Sequence, residues 1–180
     1  AISCRHFEYM LEVNRAVAIA QLFKHFPDWR VTVRLHHNAT EFEAKFIRRE
    51  CEKNKQSIKL DDGKNSFQKA SKDYGLFVFT YDSAGFLECL GSDQPTIGAF
   101  KYSDDRYFEK TKQQYDKLKM AGVINGDITA LSNFLDLHQN NITDWWRDQS
   151  VQSVVKEFTS EYVRQKPNDQ KFADLLVSIL

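Results

Sequence analysis

Cys4 is the residue in this sequence best placed for chemistry. It stands at the amino-terminal edge of a predicted helix with Arg5 and His6 beside it. Free backbone N–H groups, the helix dipole and neighbouring cations there favour a thiolate and lower the thiol pKa. Such a thiolate exchanges with disulfides or attacks an electrophile. No cysteine stands at Phe7 to resolve a mixed disulfide, so the alternative reading of Cys4 is a position kept without turnover.

The other candidates are of different kinds. Cys51 and Cys89 fall on apolar helix faces and read as small buried hydrophobes. His36-His37 are adjacent on a predicted strand, so their side chains point to opposite faces, and no carboxylate or cysteine at ligand spacing joins them. Asp61-Asp62-Gly63 and Asp104-Asp105 read as turn and cap chemistry, and His25 and His138 as cations in last helical turns. No metal site is expected. Trp145-Trp146 point about a quarter-turn apart on a helix, which makes them candidate partner-binding anchors. In the alternative, Trp146 packs into the core and Trp145 covers its edge. The 14 phenylalanines favour docking on a partner.

The whole composition narrows the classes. In 180 residues, 42% hydrophobic and 28% charged, there is material for a folded domain with an extension. Lys+Arg and Asp+Glu both number 25, so no net field draws nucleic acid or an anionic membrane. The longest apolar runs are far shorter than a spanning helix, so no membrane insertion is expected. Three cysteines without a C-x-x-C pair point to a reducing compartment. The sequons Asn38-Ala39-Thr40 and Asn141-Ile142-Thr143 would matter only in a secreted chain.

Apolar spacing then predicts the elements. Phe7, Met10, Leu11, Val17, Ala18 and Leu22 make a helix from Arg5 to Phe26, stopped by Pro27. Only Ala1 to Ser3 precede Cys4, so the strand that should come first is nearly missing and the sequence is expected to be a fragment. Val31, Val33 and Leu35 alternate as a strand, and Asn38 or Thr40 caps a helix running to about Lys53. Asn54 to Asn65 reads as a loop, and Ser66 to Tyr74 as a short helix.

Leu76 to Tyr81, without polar alternation, predicts a central strand buried on both faces. A helix through Phe86, Leu87 and Leu90 follows, and Gln94 to Gly98 is either a crossing back to the sheet or a linker. After Tyr102 strand signals disappear. Ser103 or Asp104 opens a helix ending at Gly122, Asp127 caps Ile128 to His138, and Thr143 caps a helix from Asp144 to about Arg164. Pro167 breaks it before a last helix through Phe172, Leu175, Leu176 and Ile179.

Phe26-Pro27-Asp28-Trp29-Arg30-Val31, Glu41 to Lys55, Gly75-Leu76-Phe77-Val78 and Gly85-Phe86-Leu87-Glu88 resemble, in order and spacing, the N-terminal region of the malate dehydrogenase 1B family. The resemblance covers about residues 1 to 90 and aligns Cys4 with a cysteine near that family's start. It implies a glutaredoxin-like region and an association with ciliated cells and sperm. Asn65 to Ala70 lack that family's Ser-Pro and tryptophan, and no strand is followed by Gly-x-Gly-x-x-Gly. Oxaloacetate reduction is therefore not expected.

The expected fold is α/β: a thioredoxin/glutaredoxin-like βαβ domain over residues 1–101, then an α-helical extension over 102–180. The expected function is a non-catalytic interaction module, a subunit of a larger protein assembly in the cytoplasm or in a cilium or flagellum, with no cofactor. The alternative is a monothiol oxidoreductase or glutathione-S-transferase-like enzyme that uses Cys4 and binds glutathione.

Overall fold

The computed structural model describes residues 4–35, 39–53, 58–63, 71–102 and 108–163, with side-chain surroundings from Val13 onward except at Cys51. The class is mixed α/β. Its first helix, α1 (Cys4–Leu22), continues into a 3-10 turn (Phe23–His25) and stops before Pro27, which disfavours helix in the residue ahead of it. Strand β1 (Thr32–Arg34) and helix α2 (Glu41–Glu52) follow where the pattern predicts them. Thr40 is the cap of α2: its Oγ1 accepts from Glu43 N at 3.3 Å, and Glu43 Oε2 accepts from Thr40 N at 2.6 Å. This reciprocal pair satisfies two amides that the helix itself leaves unpaired.

The stretch read as a loop contains strand β2 (Lys59–Asp61), parallel to β1 with Val33 opposite Leu60. Ile58 and Leu60 do alternate with Lys59, but three residues among polar neighbours give too little periodicity to read. Only the end of the helix expected over 66–74 is described, as a 3-10 turn (Ser71–Asp73). Strand β3 (Phe77–Phe79), helix α3 (Ala84–Gly91) and strand β4 (Thr96–Gly98) then form a second parallel βαβ unit. The 94–98 stretch is therefore a strand and not a linker.

The strand pattern does not end at Tyr102. Gly98 N donates to Val123 O at 2.8 Å and Asn125 N to Gly98 O at 2.7 Å, so the 123–125 segment lies parallel beside β4. Around it stand α4 (Glu109–Met120), α5 (Ile128–His138), α6 (Ile142–Arg147) and α7 (Gln149–Tyr162). Asp127 caps α5 as expected, accepting from Ala130 N at 2.9 Å. The single helix expected from Asp144 is two helices. Asp148 leaves the helical region and accepts from Ser150 N at 2.8 Å, ending α6 and capping α7. Ser103, Asp104, Pro167 and the last helix lie outside the described residues.

The main core runs from Ile19 to Phe158 and takes in α1, α3, β4 and every later described helix. The boundary expected between 101 and 102 thus separates no two cores. Helices α4 to α7 share this core with β4, as a sheet needs a packed layer to bury its apolar side. A second, smaller core of Val13, Val17, Leu35 and Ile47 sits between α1, β1 and α2. Among the described residues no helix is long and apolar enough to cross a membrane.

Candidate functional site

Three parallel segments end together. β3 opens into Thr80-Tyr81-Asp82-Ser83, β4 into Ala99-Phe100-Lys101-Tyr102, and the 123–125 segment into Gly126-Asp127. In parallel α/β sheets ligands bind outside the carboxyl ends of the strands, because the following helices start there with free N–H groups. Ser83 caps α3 at this edge, with Phe86 N donating to its Oγ at 3.3 Å, and Asp127 caps α5.

A cleft of about 490 Å³ opens at this edge, lined by Phe100, Lys101, Tyr102, Lys112, Asp116, Lys119, Gly126, Asp127 and Ala130. Its carboxylates are committed. Tyr102 OH donates to Asp116 Oδ1, and Asp127 holds the first turn of α5. Its cations at Lys101 and Lys119 are exposed and make no ion pair among the described residues. Behind the cleft, buried Tyr115 donates its hydroxyl to Asp82 Oδ2, and the Tyr102 and Tyr115 rings lie 5.4 Å apart. Helix α4 thereby holds the loops that leave both β3 and β4. On the far side, Arg15 of α1 donates to Thr80 O at 2.8 Å.

Residues 28–175, well over half of the chain, match the model of the LIC12162 family transferases. The chain belongs to this family. The match takes in both sheets and every residue lining the cleft. Comparison with the curated proteins and with the solved structures gave no match.

The residues nominated from sequence stand elsewhere. Cys4 is the first residue of α1, and its side-chain surroundings lie outside the description, as do those of Cys51. Cys89 is 1% exposed, and burial pushes its thiol up from 9.0 to about 12, against a smaller lowering by the Thr96 hydrogen bond. A thiol held neutral in this way is inert. His36 and His37 lie outside the described residues. Asp61 ends β2 and pairs with Arg34, while its Oδ1 accepts from Gly63 N at 3.0 Å. Among the described residues no group of three or more His, Cys, Asp or Glu is placed to hold a metal.

Trp145 and Trp146 are not exposed anchors: they are 8% and 3% exposed. Trp145 donates to Ala121 O at 3.1 Å and stacks edge-on to Phe134, while Trp146 donates to Asp93 Oδ1 at 3.0 Å. Two indoles a quarter-turn apart leave one exposed only where their helix packs on a single surface. α6 is six residues long and is enclosed on two sides, by α5 on one and by α7 and the end of α3 on the other. Both indoles are therefore buried with their N–H groups satisfied.

Sequence reasoning missed Lys101, Tyr102, Tyr115, Asp116 and Lys119. Their one signal is position, since Lys101 and Tyr102 come directly after a strand. That strand was one of two readings of residues 94–98, and only its pairing decided between them.

Proposed function

We propose that this chain recognises the phosphate-bearing donor of a transferase reaction in the cleft at the carboxyl ends of β3, β4 and the 123–125 segment. A transferase must hold its donor by the part that is left behind, and phosphate is the leaving group that lysines and helix starts suit best. The observation that carries this reading is the imbalance of the cleft. Asp116 and Asp127 are occupied by Tyr102 and by the α5 amides, whereas Lys101 and Lys119 face it without an ion pair among the described residues. Membership of a transferase family supports the same direction.

The chain's part is binding and orientation, which agrees with a module working inside a larger assembly. Thiol chemistry at Cys4 with glutathione gains nothing from the described residues, where the one thiol whose surroundings are seen is the inert Cys89. Calorimetric titration with inorganic pyrophosphate at low salt tests the proposal. Binding should weaken roughly tenfold for Lys101→Ala and again for Lys119→Ala, the loss of one charge-assisted contact each. Absence of binding at millimolar pyrophosphate, or binding by both variants as tight as that of the wild type, would overturn it.

A further inference from the structure

β3 has the sequence of a central strand and the surroundings of an edge. Of Leu76-Phe77-Val78-Phe79 only Phe77 is buried, and Tyr81 is 42% exposed. Its pairing is one-sided. Phe77 N donates to Pro95 O at 2.9 Å and Ala99 N to Phe79 O at 2.7 Å. Phe77 and Phe79 therefore turn their backbone groups to β4, and in a parallel ladder Val78 between them turns its own to the opposite edge. No strand among the described residues pairs there. β1 is alike. Lys59 N donates to Val31 O and Leu35 N to Asp61 O, both at 2.9 Å, so alternation leaves Thr32 facing away from β2.

Both open edges lie under one helix. α1 buries Val13 and Val17 with Val33 and Leu35 of the small core and Ile19 in the main core, which also takes Phe23 of the following turn and against which Val78 and Phe79 pack. Trp29 and Val31, leading into β1, also pack against the main core, which puts β1 and not β2 on the near side. Arg15 takes the carbonyl of Thr80, two residues on from Val78 and so on the same outward edge. Arg15 stands about two turns before the end of α1. The helix thus runs from the carboxyl end of β3 back towards the amino end of β1, antiparallel to both strands.

We propose that β1 and β3 flank the seat of one further extended strand, apolar and rich in β-branched residues, that runs parallel to both and leads into α1. The two small sheets then form a single parallel sheet in the order β2, β1, the added strand, β3, β4 and the 123–125 segment. That is the order of a doubly wound sheet, in which the first strand is central. α1 becomes its right-handed crossover to β1, as parallel connections require. A second copy of the chain is the poorer occupant. The added strand must pair on both edges at once, about 4.8 Å from each neighbour, and a strand already folded into another sheet cannot enter such a slot.

Amide exchange, read residue by residue by NMR, tests this on the chain and on two fusions. Each fusion places about seven residues, the length of an ordinary strand, ahead of Ala1 through a short turn. One segment is made of Val, Ile and Thr. The other is the same with a central proline, which breaks a central strand. In the unextended chain Val78 and Thr32 should exchange fast while Val33 is protected. The β-branched fusion should slow Val78 and Thr32 on the order of 100-fold, as joining a stable ladder does, and the proline fusion should not. Equal rates in the two fusions, or Val78 and Thr32 already protected in the dilute unextended chain, overturn the proposal. Protection of the unextended chain that grows with its concentration assigns the edges to a second copy and overturns it as well.

Discussion

The molecule builds the same βαβ motif twice and supports it in two different ways. In β1-α2-β2 the helix is held by local terms: the Thr40–Glu43 capping box and the Lys45–Glu41 and Lys53–Glu50 pairs, over a core of four buried residues. In β3-α3-β4 the helix has almost no charge and is held by burial, with Cys89 enclosed and Phe86 and Leu90 inside a core that four later helices complete. Capping and surface pairs contribute about 1 kcal/mol or less each, while a fully buried side chain contributes about 1.5–3 kcal/mol. The second unit should therefore be the stable one and the first should open more readily. Placing the candidate cleft on the second unit gives its donors the rigid support that binding requires.

The sharpest way to break this comparison is a pair of core truncations. Phe86 is fully buried and meets Phe79 and Phe100 edge-on at 5.8 and 5.4 Å. Phe86→Ala should lower unfolding free energy by roughly 3–5 kcal/mol, whereas Ile47→Ala should fall near the low end of about 2–5 kcal/mol. Urea denaturation followed by tryptophan fluorescence gives the first number. Amide exchange should show Ile47→Ala loosening β1 and β2 while β4 stays protected. Equal loosening of both units would mean that they unfold as one.

A smaller effect sharpens the contrast at the backbone. Gly98 lies between β3 and the 123–125 segment, and a Cβ there would stand 2.6 Å from the Phe100 ring. Gly98→Ala should cost about 1–3 kcal/mol by overpacking, and it should weaken pyrophosphate binding because Phe100 lines the cleft. Thr40→Ala in the other unit should cost about 1 kcal/mol and leave that binding unchanged. Thermal melts and calorimetry on the two variants distinguish these outcomes.

A further effect is an alkaline one, confined to the buried unit. The Cys89 thiol is raised by desolvation from 9.0 to about 12. Below pH 9 both folded and unfolded forms are protonated, so the group adds no pH dependence. Between about 9 and 12 only the unfolded thiol ionises, so stability should fall as pH rises through that window. Between about pH 9 and 12 the stability of the wild type should fall more steeply than that of Cys89→Ala if this thiol is the source, and equal slopes would rule it out.

Much of the secondary structure was legible in the residues. The Pro27 stop, the Thr40 and Asp127 caps and the α/β class follow from rules that act within a few residues. Gly122, at φ +77° just past α4, sits where the sequence places the end of that helix. Local chemistry sufficed because each of these features satisfies backbone groups from neighbouring positions. The break at Asp148 was not legible, because Asp-Gln-Ser is compatible with a continuous helix until its cap is seen. β2 and the 123–125 segment were hidden and β4 was left open between a strand and a linker, because each is three residues long and is defined by partners 19 or more positions apart or by a single bridge.

The sequence by itself determined that this is an α/β chain of near-neutral charge with a helix start at Cys4 and a strongly apolar strand at Leu76 to Tyr81. Tertiary structure alone decided where the chemistry could lie. Lys101, Tyr102, Tyr115, Asp116 and Lys119 have no motif spacing, and they meet because parallel pairing brings the ends of separate segments to one edge. It also decided the fate of the tryptophans. Whether an indole is an anchor or a core residue depends on how many surfaces enclose its helix, and neighbours distant in the chain set that number.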